Sequence, residues 1–420
     1  MNEYILELGK KAKEASKKLI NLDTNSKNNI LLGVSKALLE KKELIKSENK
    51  KDLEDGKAKG ISSALLDRLE LTDSRIEGMA ESLVEIANFK DPIGEVLDGW
   101  KHPDGMQIIK QRVPLGVVGM IFESRPNVTI DSAGLALKSS NAIILRGGTD
   151  AINSNKILKN IFIEEGKKFG LPHGAVQLIE NTDREVVGDF IKLNKYIDVI
   201  IPRGGKGLKK FIIENATVPV IETGAGLCHI YADESVNIEK AIPIIENAKI
   251  QRCSTCNTLE TLLVNEKAAE SLLPKLSKVL VNDKVELRAD KAAYDIIKNS
   301  GVEVKMATDE DWGTEYLELI LSIKIVKDIG EAIKHIDKYS TQHSESILTE
   351  NFENAEKFLN EVDSAVVYVN TSTRFTDGGE FGYGGEIGIS TQKLHARGPM
   401  GIRELTTIKY LVRGNGQFRK

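Results

Sequence analysis

Apolar residues recur at helical spacing through the first 95 residues of the chain. Segments 28–45 and 73–89 place them three and four positions apart, which predicts two helices, with Asp73 as the N-cap of the second. The pattern then changes to the strand-like run MQIIKQRV at 106–113, preceded by a turn at Asp104 and Gly105. We therefore expect a helical N-terminal region followed by a β-hairpin.

From residue 115 onward, short apolar runs alternate with helical patterns. The first set of predicted strands is 115–122, 141–148, 175–180, 197–205 and 218–222. A helix is predicted at 151–170, where Gly170 ends it. The alternation restarts after 226, with helices at 235–250, 266–281, 329–338 and 352–361 and strands at 258–264, 317–326, 344–350 and 365–370. Continuous apolar strands between helices predict an α/β protein with buried, mainly parallel sheets.

The C-terminal part of the chain departs from this alternation. Residues 373–390 are rich in glycine and predict a loop, and residues 404–413 predict a terminal strand. This tail and the hairpin around 100–112 fit neither set of alternating elements.

Composition narrows the class of protein. The chain has 420 residues, 41% of them hydrophobic and 29% charged, so a large core in two or three lobes is expected. The formal net charge of −4 does not indicate a nucleic-acid or membrane partner. The charged N-terminus lacks a signal-peptide pattern, and no apolar run is long enough for a transmembrane helix. Three cysteines argue against a disulfide framework and favour a reducing cytoplasm.

Two predicted strands end in glycine, at Arg146-Gly147-Gly148 and at RGGKG (203–207). Parallel strands bind ligands at their carboxyl ends, where glycine lets backbone N–H groups approach a phosphate. Neither run matches the common dinucleotide or phosphate-loop patterns, so ordinary tight turns stay open as an alternative. Glu222 also follows a predicted strand, and it is either a capping carboxylate or an acid/base group.

The segment QRCSTCNTLET (251–261) holds two of the three cysteines. They could form a redox couple, half of a metal site, or one nucleophile and a neighbour. The order helix, loop, strand is the reverse of a thioredoxin-like motif, and a zinc site needs about four ligands, for which only Cys228 and His229 remain plausible. A single thiol nucleophile near Arg252 is favoured, since cations lower the pKa of a thiol. Cys228 is predicted to be a small buried residue.

Five segments, spread over nearly the whole chain, resemble the aldehyde dehydrogenase superfamily, and more closely the branch that reduces γ-glutamyl phosphate. They are 114–148, 218–231, 251–265, 369–384 and 386–410. The resemblance implies an α/β, aldehyde-dehydrogenase-like fold with two Rossmann-like parallel-sheet lobes and a small oligomerisation element. The domains expected are an NADP-binding domain (1–99 and 113–226), a catalytic domain (227–390) and an oligomerisation hairpin and tail (100–112 and 391–420).

The resemblance also assigns catalytic residues. Cys256 matches the nucleophile, because it keeps nearly the superfamily distance to the following strand, whereas Cys253 lies too far back. Glu222 aligns with the glutamate that activates water in hydrolytic members, and a phosphorylating reductase uses no such water. Asn127 lies near the oxyanion asparagine, although an ungapped alignment places Arg125 there.

Cofactor and substrate residues follow from the same resemblance. Arg146 stands at a position where relatives have a lysine that contacts the adenosine ribose, and Thr149 replaces a glutamate that binds the ribose hydroxyls in NAD-preferring members; both changes favour NADP. The full set of cofactor residues implied is Arg146, Gly147, Gly148, Thr149, Arg203, Gly204, Gly205, Lys206 and Glu315. The arginines implied for the substrate's phosphate and carboxylate are Arg125, Arg252 and Arg374.

The reaction implied is NADPH-dependent reduction of γ-glutamyl phosphate to glutamate 5-semialdehyde through a cysteine thioester, the second step of proline biosynthesis. A homo-oligomer is expected, and transient contact with glutamate 5-kinase is a further expectation, with no metal. A hydrolytic aldehyde dehydrogenase is the nearest alternative. A non-catalytic redox or metal-binding protein using Cys253 and Cys256 is the alternative from another class.

Overall fold

The computed structural model describes residues 2–383 and 385–419. It contains two compact units. The first unit comprises Met1–Thr223, Gly382–Gly388 and Met400–Lys420, and the second comprises Gly224–Phe381 and Ile389–Pro399. Among the described residues, no helix is both long and apolar enough to span a membrane.

Helices and strands alternate along most of the chain. The helices are α1 (Glu3–Leu19), α2 (Thr24–Glu40), α3 (Lys42–Ala58), α4 (Ser63–Leu69), α5 (Asp73–Asn88), α6 (Asn127–Lys138), α7 (Ile152–Lys168), α8 (Arg184–Phe190), α9 (Lys206–Asn215), α10 (Ile238–Ile250), α11 (Glu266–Asn282), α12 (Lys291–Asn299), α13 (Ile329–Tyr339) and α14 (Phe352–Glu361). The strands are β1 (Val96–Lys101), β2 (Gln107–Pro114), β3 (Val117–Phe122), β4 (Ala142–Arg146), β5 (Val176–Leu178), β6 (Val199–Arg203), β7 (Cys228–Ala232), β8 (Leu259–Asn265), β9 (Glu286–Ala289), β10 (Lys305–Met306), β11 (Ile320–Val326), β12 (Ser344–Leu348), β13 (Val366–Val369), β14 (Gly388–Ser390), β15 (Gly398–Met400) and β16 (Thr406–Arg413).

The N-terminal helices differ from the sequence prediction in two details. The single helix predicted at 28–45 is two helices, because the backbone leaves the helical region at Lys41 (φ −103°, ψ 20°). The N-cap of α5 is Thr72 and not Asp73, since the Thr72 hydroxyl accepts the N–H of Arg75. Asp73 occupies the first turn, where a negative charge favours the helix dipole.

The first unit contains a parallel four-stranded sheet in the order β5-β4-β3-β6. Strands β3 and β4 are buried at every position, as expected when helices cover both faces of a parallel sheet. The strand predicted at 218–222 is wrong: only Val220 bridges Ile200. Pro219 has no N–H to donate, which limits a ladder at this edge.

The second unit contains a parallel seven-stranded sheet in the order β10-β9-β11-β8-β7-β12-β13. Strand β8 lies at its centre, and all seven of its residues are buried. Its apolar core joins residues of β8 and β11 to α10, α11 and α12. The predicted α/β class with parallel sheets is confirmed.

A third, antiparallel sheet has the order β1-β2-β16. The hairpin begins at Val96, four residues before the predicted element, and β16 pairs with β2 from Thr406 opposite Pro114 to Arg413 opposite Gln107. The predicted 391–420 tail divides between the units, because its residues before Met400 group with the second unit. The predicted loop at 373–390 also contains a short 3₁₀ turn and β14.

Candidate functional site

The cysteine loop (residues 251–258) connects α10 to the central strand β8 of the second unit. Cys253 and Cys256 are both half-buried in this loop, and Cys228 is buried at the start of the neighbouring strand β7, as predicted. All three cysteines are free thiols. The loop therefore presents two thiols of similar exposure, and its internal contacts distinguish them.

Hydroxyl groups fold the loop back on itself. The side chains of Thr255 and Thr258 both donate to the carbonyl oxygen of Arg252, at 2.9 Å and 2.8 Å. The Arg252 side chain is exposed. The Asn257 side chain donates to the carbonyl of Thr376 at 2.9 Å, which ties the end of the loop to a neighbouring segment. Cys256 thus lies between two anchored residues.

Arg374 holds the cysteine loop from the side. Its Nε donates to Gln251 Oε1 at 2.9 Å, and its Nη1 donates to Thr255 Oγ1 at 2.6 Å. Burial lowers the pKa of Arg374, while the opposing charges of Cys256 and Asp377 act to raise it. The guanidinium therefore places a positive charge next to Thr255, the residue that precedes Cys256, and nearby cations lower the pKa of a thiol.

Beneath the loop, two residues contact the backbone of Cys256. The Cys228 thiol donates to the Cys256 carbonyl at 3.3 Å, and burial raises the pKa of Cys228, which keeps this thiol neutral. A Cβ added to Gly226 would lie 1.3 Å from the same carbonyl oxygen, so only glycine fits there. The N–H of Gly226 donates to Glu315 Oε1 at 2.7 Å.

In the first unit, the glycine-ended strands lie side by side. Arg146 of β4 pairs with Ile121 of β3, and Arg203 of β6 pairs with Phe122 of β3, so both glycine runs follow strands at one edge of the sheet. A Cβ on Gly204 would lie 2.6 Å from Glu123 Oε2, and that oxygen accepts the N–H of Gly205 at 2.8 Å. At this edge Gly147 is buried, Gly148 and Gly204 are half-buried, and Gly205 is exposed.

The two residues predicted to select NADP differ in accessibility. Arg146 is only 9% exposed, and its guanidinium donates to the carbonyls of Gly147 and Thr182, both at 3.0 Å. Thr149 is exposed in a 3₁₀ turn that leads into α7. Gly148 precedes this turn, and a Cβ there would lie 3.4 Å from Ser124 N.

The remaining predicted residues of the first unit surround α6 and β6. Asn127 is exposed, and its Nδ2 donates to Asp131 Oδ2 at 2.9 Å. Burial raises the pKa of Asp131 to about 6. Arg203 pairs with Glu386 at 3.3 Å. Arg125 and Glu222 are half-buried, and the side chain of Lys206 lies outside the described residues.

Several contact residues were missing from the sequence prediction. Gly226, Gln251, Thr255 and Glu386 each contact a predicted site residue. The run IETGAG contained a signal for Gly226, because repeated glycine in a strand-adjacent segment indicates close backbone approach. Within the described residues, no group of three or more His, Cys, Asp or Glu side chains is placed to hold a metal ion.

Comparisons with known proteins agree with the resemblance. The family model described as aldehyde dehydrogenase family matches residues 2–295. A gamma-glutamyl phosphate reductase of Clostridium botulinum (strain Eklund 17B / Type B) is 57% identical over 419 residues, which cover 100% of each chain. One from Francisella philomiragia subsp. philomiragia is 58% identical over 415 residues, covering 99% of each.

Solved structures extend the similarity to three dimensions. The crystal structure of gamma-glutamyl phosphate reductase from Thermotoga maritima superposes with a TM-score of 0.95 at 50% identity, covering 99% of this chain and 100% of that one. An acetylating aldehyde dehydrogenase from Geobacillus thermoglucosidasius shares the fold alone, with a TM-score of 0.72 at 19% identity over 100% of this chain and 98% of that one. The predicted resemblance to the superfamily is confirmed.

Proposed function

Because the chain belongs to the aldehyde dehydrogenase family, we propose that it reduces γ-glutamyl phosphate to glutamate 5-semialdehyde and phosphate, the second step of proline biosynthesis. The observation that carries the proposal is the 57% identity, over the whole length of both chains, with a gamma-glutamyl phosphate reductase. The half-buried Cys256 supplies the nucleophile that this chemistry requires. Hydrogen bonds hold its own carbonyl and the side chains of its two neighbours, Thr255 and Asn257.

The Cys256 thiolate attacks the γ-carbonyl carbon of the substrate. An S–C bond forms, the C–O bond to phosphate breaks, and phosphate leaves with the electron pair, so that a thioester remains on Cys256. NADPH, when bound, supplies the hydride that reduces this thioester. Hydride addition leaves a thiohemiacetal on Cys256. Its C–S bond then breaks, the carbonyl re-forms as the aldehyde of the semialdehyde, and the electron pair of the broken bond returns to the sulfur of Cys256. The charge of Arg374 beside Cys256 favours the thiolate at both ends of the cycle.

An oxyanion develops on the substrate's carbonyl oxygen, and Asn127 is the proposed donor to it. The bond from Asn127 to Asp131 uses one of the two N–H groups of the amide, and it orients the other. Arg125 is the alternative donor, because it lies two residues before Asn127, at which α6 begins.

The edge of the four-stranded sheet fits a dinucleotide. Glycine follows β4 and β6. A Cβ on Gly147 would lie 2.1 Å from Asn155 Nδ2, and one on Gly204 would lie 2.6 Å from Glu123 Oε2. Such glycine-bearing strand ends suit a phosphate group. The proposed cofactor residues are Arg146, Gly147, Gly148, Thr149, Arg203, Gly204, Gly205, Lys206 and Glu315. Preference for NADPH rests on the exposed, uncharged Thr149, since Arg146 is buried and donates to backbone carbonyls. A carboxylate at position 149 would repel a 2′-phosphate.

The substrate's phosphate and α-carboxylate are proposed to bind Arg125, Arg252 and Arg374. Arg252 is the most accessible of the three. Arg374 already donates twice to the cysteine loop, so its contribution to substrate binding comes from its remaining N–H groups and its charge. Glu222 is proposed to have a positional role, because no water is activated in a phosphorylating reduction.

The antiparallel sheet is proposed to form the contact of a homo-oligomer. Apolar side chains are exposed on both of its outer strands, including Val96 at 58% and Val412 at 55%, and exposed apolar patches of this kind mark protein interfaces.

We also propose a cytoplasmic location, and a transient contact with glutamate 5-kinase, which would hand over a labile acyl phosphate.

The test measures turnover in both directions. NADPH oxidation is expected with γ-glutamyl phosphate generated in situ, faster than with NADH, and NADP reduction with the semialdehyde should require phosphate. Cys256→Ser should abolish both, whereas Cys253→Ser should retain them. Semialdehyde oxidation that is independent of phosphate and blocked by Glu222→Gln would instead indicate a hydrolytic aldehyde dehydrogenase. Equal loss in both cysteine variants, with bound zinc or a disulfide, would indicate the redox or metal-binding alternative.

A further inference from the structure

A buried ion pair lies directly under the cysteine loop. Lys249 is in the last turn of α10, and Glu260 is the second residue of β8, so the two residues stand at opposite ends of the loop. Lys249 Nζ lies 2.8 Å from Glu260 Oε2, and both side chains have 0% exposure. The ammonium also donates to the carbonyl of Leu259 at 3.0 Å.

Such a pair is costly in an apolar core, because two charges must leave water. The adjoining core consists of apolar residues of α10, α11 and the central strands. Three titratable groups also face the pair: Cys228 and Cys253 act on Lys249, and Glu315 acts on Glu260. Burial lowers the pKa of Lys249 and raises the pKa of Glu260 to about 7. Replacing a buried pair by apolar side chains is often neutral or stabilising, so the pair is weak evidence of a role in stability alone. Its position suggests another role, since the contact joins the end of α10 to the start of β8 and holds both ends of the cysteine loop.

The second oxygen of Glu260 extends the connection. Glu260 Oε1 accepts the N–H of Leu317 at 3.2 Å, and Leu317 has a φ of +56°, in the left-handed region that leucine rarely adopts. Two residues before it, Glu315 accepts the N–H of Gly226, whose Cα abuts the carbonyl of Cys256. Glu260 therefore contacts the 315–317 segment, in which Leu317 has its positive φ and Glu315 bonds the glycine packed against the nucleophile's backbone.

We propose that Lys249 and Glu260 are positioning residues for Cys256. The ion pair fixes the two ends of the cysteine loop, and the bond from Leu317 to Glu260 fixes the 315–317 segment, so that Cys256 stays beside Arg374 and over Gly226. This inference builds on the proposed function, but it concerns the reactivity of the Cys256 thiol, which can be measured without substrate.

The test is alkylation of Cys256 by iodoacetamide as a function of pH, with fragment mass spectra that separate Cys256 from Cys253. Two double variants form a matched pair. The Met/Met variant combines Lys249→Met with Glu260→Met, and the Met/Gln variant combines Lys249→Met with Glu260→Gln. Both remove the two charges, but only the Glu260→Gln substitution retains an acceptor for the Leu317 N–H. Thermal unfolding of each variant reports whether the unit is folded at the temperature of the assay.

The Met/Met variant is expected to remain folded, to alkylate roughly tenfold more slowly at neutral pH, and to show a rise of about one unit in the pKa read from the alkylation profile. The Met/Gln variant should lose less reactivity. Wild-type alkylation by a folded Met/Met variant would overturn the proposal, and equal losses in both would overturn the part assigned to Leu317. If the Met/Met variant does not fold, Glu260→Asp provides the test. This substitution keeps the charge at position 260 but moves the carboxylate away from Lys249 and Leu317. A Glu260→Asp variant with a wild-type alkylation profile would overturn the inference.

Failure of the proposed function leaves a different signature. A protein that does not reduce γ-glutamyl phosphate, yet shows the expected loss of Cys256 alkylation in Met/Met, retains the positioning pair and needs another substrate. A protein with the proposed turnover and unchanged Cys256 alkylation in Met/Met loses the positioning pair alone.

Discussion

At the scale of single residues, the structure distinguishes two of the three candidate substrate arginines by their contacts. Residue type suggested that Arg252 and Arg374 were equivalent, because both can bind phosphate or carboxylate. In the fold, Arg252 is exposed and contributes only its carbonyl to the loop contacts described above, while Arg374 bonds Gln251 and Thr255. We therefore expect substitutions of the two arginines to affect different kinetic constants.

Arg374→Lys retains the charge but cannot make two directed bonds to Gln251 and Thr255. The loss of a hydrogen bond from a charged group is worth ~1.5–3 kcal/mol, so kcat should fall roughly 10–100-fold with little change in KM. Arg252→Lys is the matched control and should chiefly raise KM for the acyl phosphate. Steady-state kinetics of both variants provide the measurement, and an Arg374→Lys enzyme altered in KM alone would contradict the assignment.

At the scale of elements, many of the longer helices and strands were predicted near their observed positions, whereas the sequence prediction assigned no element to the region that forms β9, α12 and β10. The helix predicted at 352–361 matches α14 at both ends, and the helix predicted at 266–281 ends one residue before α11 does. The segment 218–222 was mistaken for a strand, because apolar composition does not reveal which edge of a sheet has a partner. That segment leads into Gly226. The requirement for glycine at this position comes from the carbonyl of Cys256, which packs against it.

Gly226→Ala should displace the cysteine loop. The added Cβ would collide with the carbonyl of Cys256, and backbone cannot move aside as the end of a flexible side chain can. We expect roughly tenfold or greater loss of kcat and a lower melting temperature. Gly313→Ala is the matched control in the same unit, because a Cβ there has no atom within 4 Å. Similar melting temperatures and activities for the two variants would show that the loop tolerates the extra atom.

At the scale of the whole molecule, a buried histidine makes stability depend on pH. His335 is 6% exposed between Trp312 and Tyr339, and among the described residues its Nε2 has no hydrogen-bond partner. Burial lowers the pKa of His335 to about 3, and the neighbouring charge of His229 acts in the same direction. The folded state therefore binds this proton more weakly than the unfolded state does.

The contribution of His335 to stability should be present above about pH 6.5 and be lost as the pH falls toward about 3, by at most ~1.4 kcal/mol per pH unit. His335→Leu should remove this part of the slope, and the exposed His173→Leu should leave it unchanged. Urea unfolding between pH 7.5 and pH 5 measures both. Parallel pH profiles for wild type and His335→Leu would mean that His335 does not titrate as proposed.

The exposed sheet permits a test of assembly. Trp100 and Tyr410 contact each other edge to face at 6.3 Å across β1 and β16, and they are 44% and 52% exposed. If this face is an interface between copies, the double substitution of both by Glu should reduce the mass measured by light scattering to that of a smaller species. Phe352→Glu, at a residue 76% exposed in the second unit, serves as control. An unchanged mass in the double variant would place the interface elsewhere.

The sequence by itself determined the α/β class, most element positions and the candidacy of Cys256, because hydrophobic periodicity and a characteristic motif are local properties of the chain. It also placed glycines after β4 and β6. Only the tertiary structure decided that Arg146 is buried, that Arg374 holds the cysteine loop, and that Lys249 and Glu260 pair beneath it. These facts depend on contacts between segments far apart in the chain, and on desolvation, which acts on a side chain only once the fold has removed it from water.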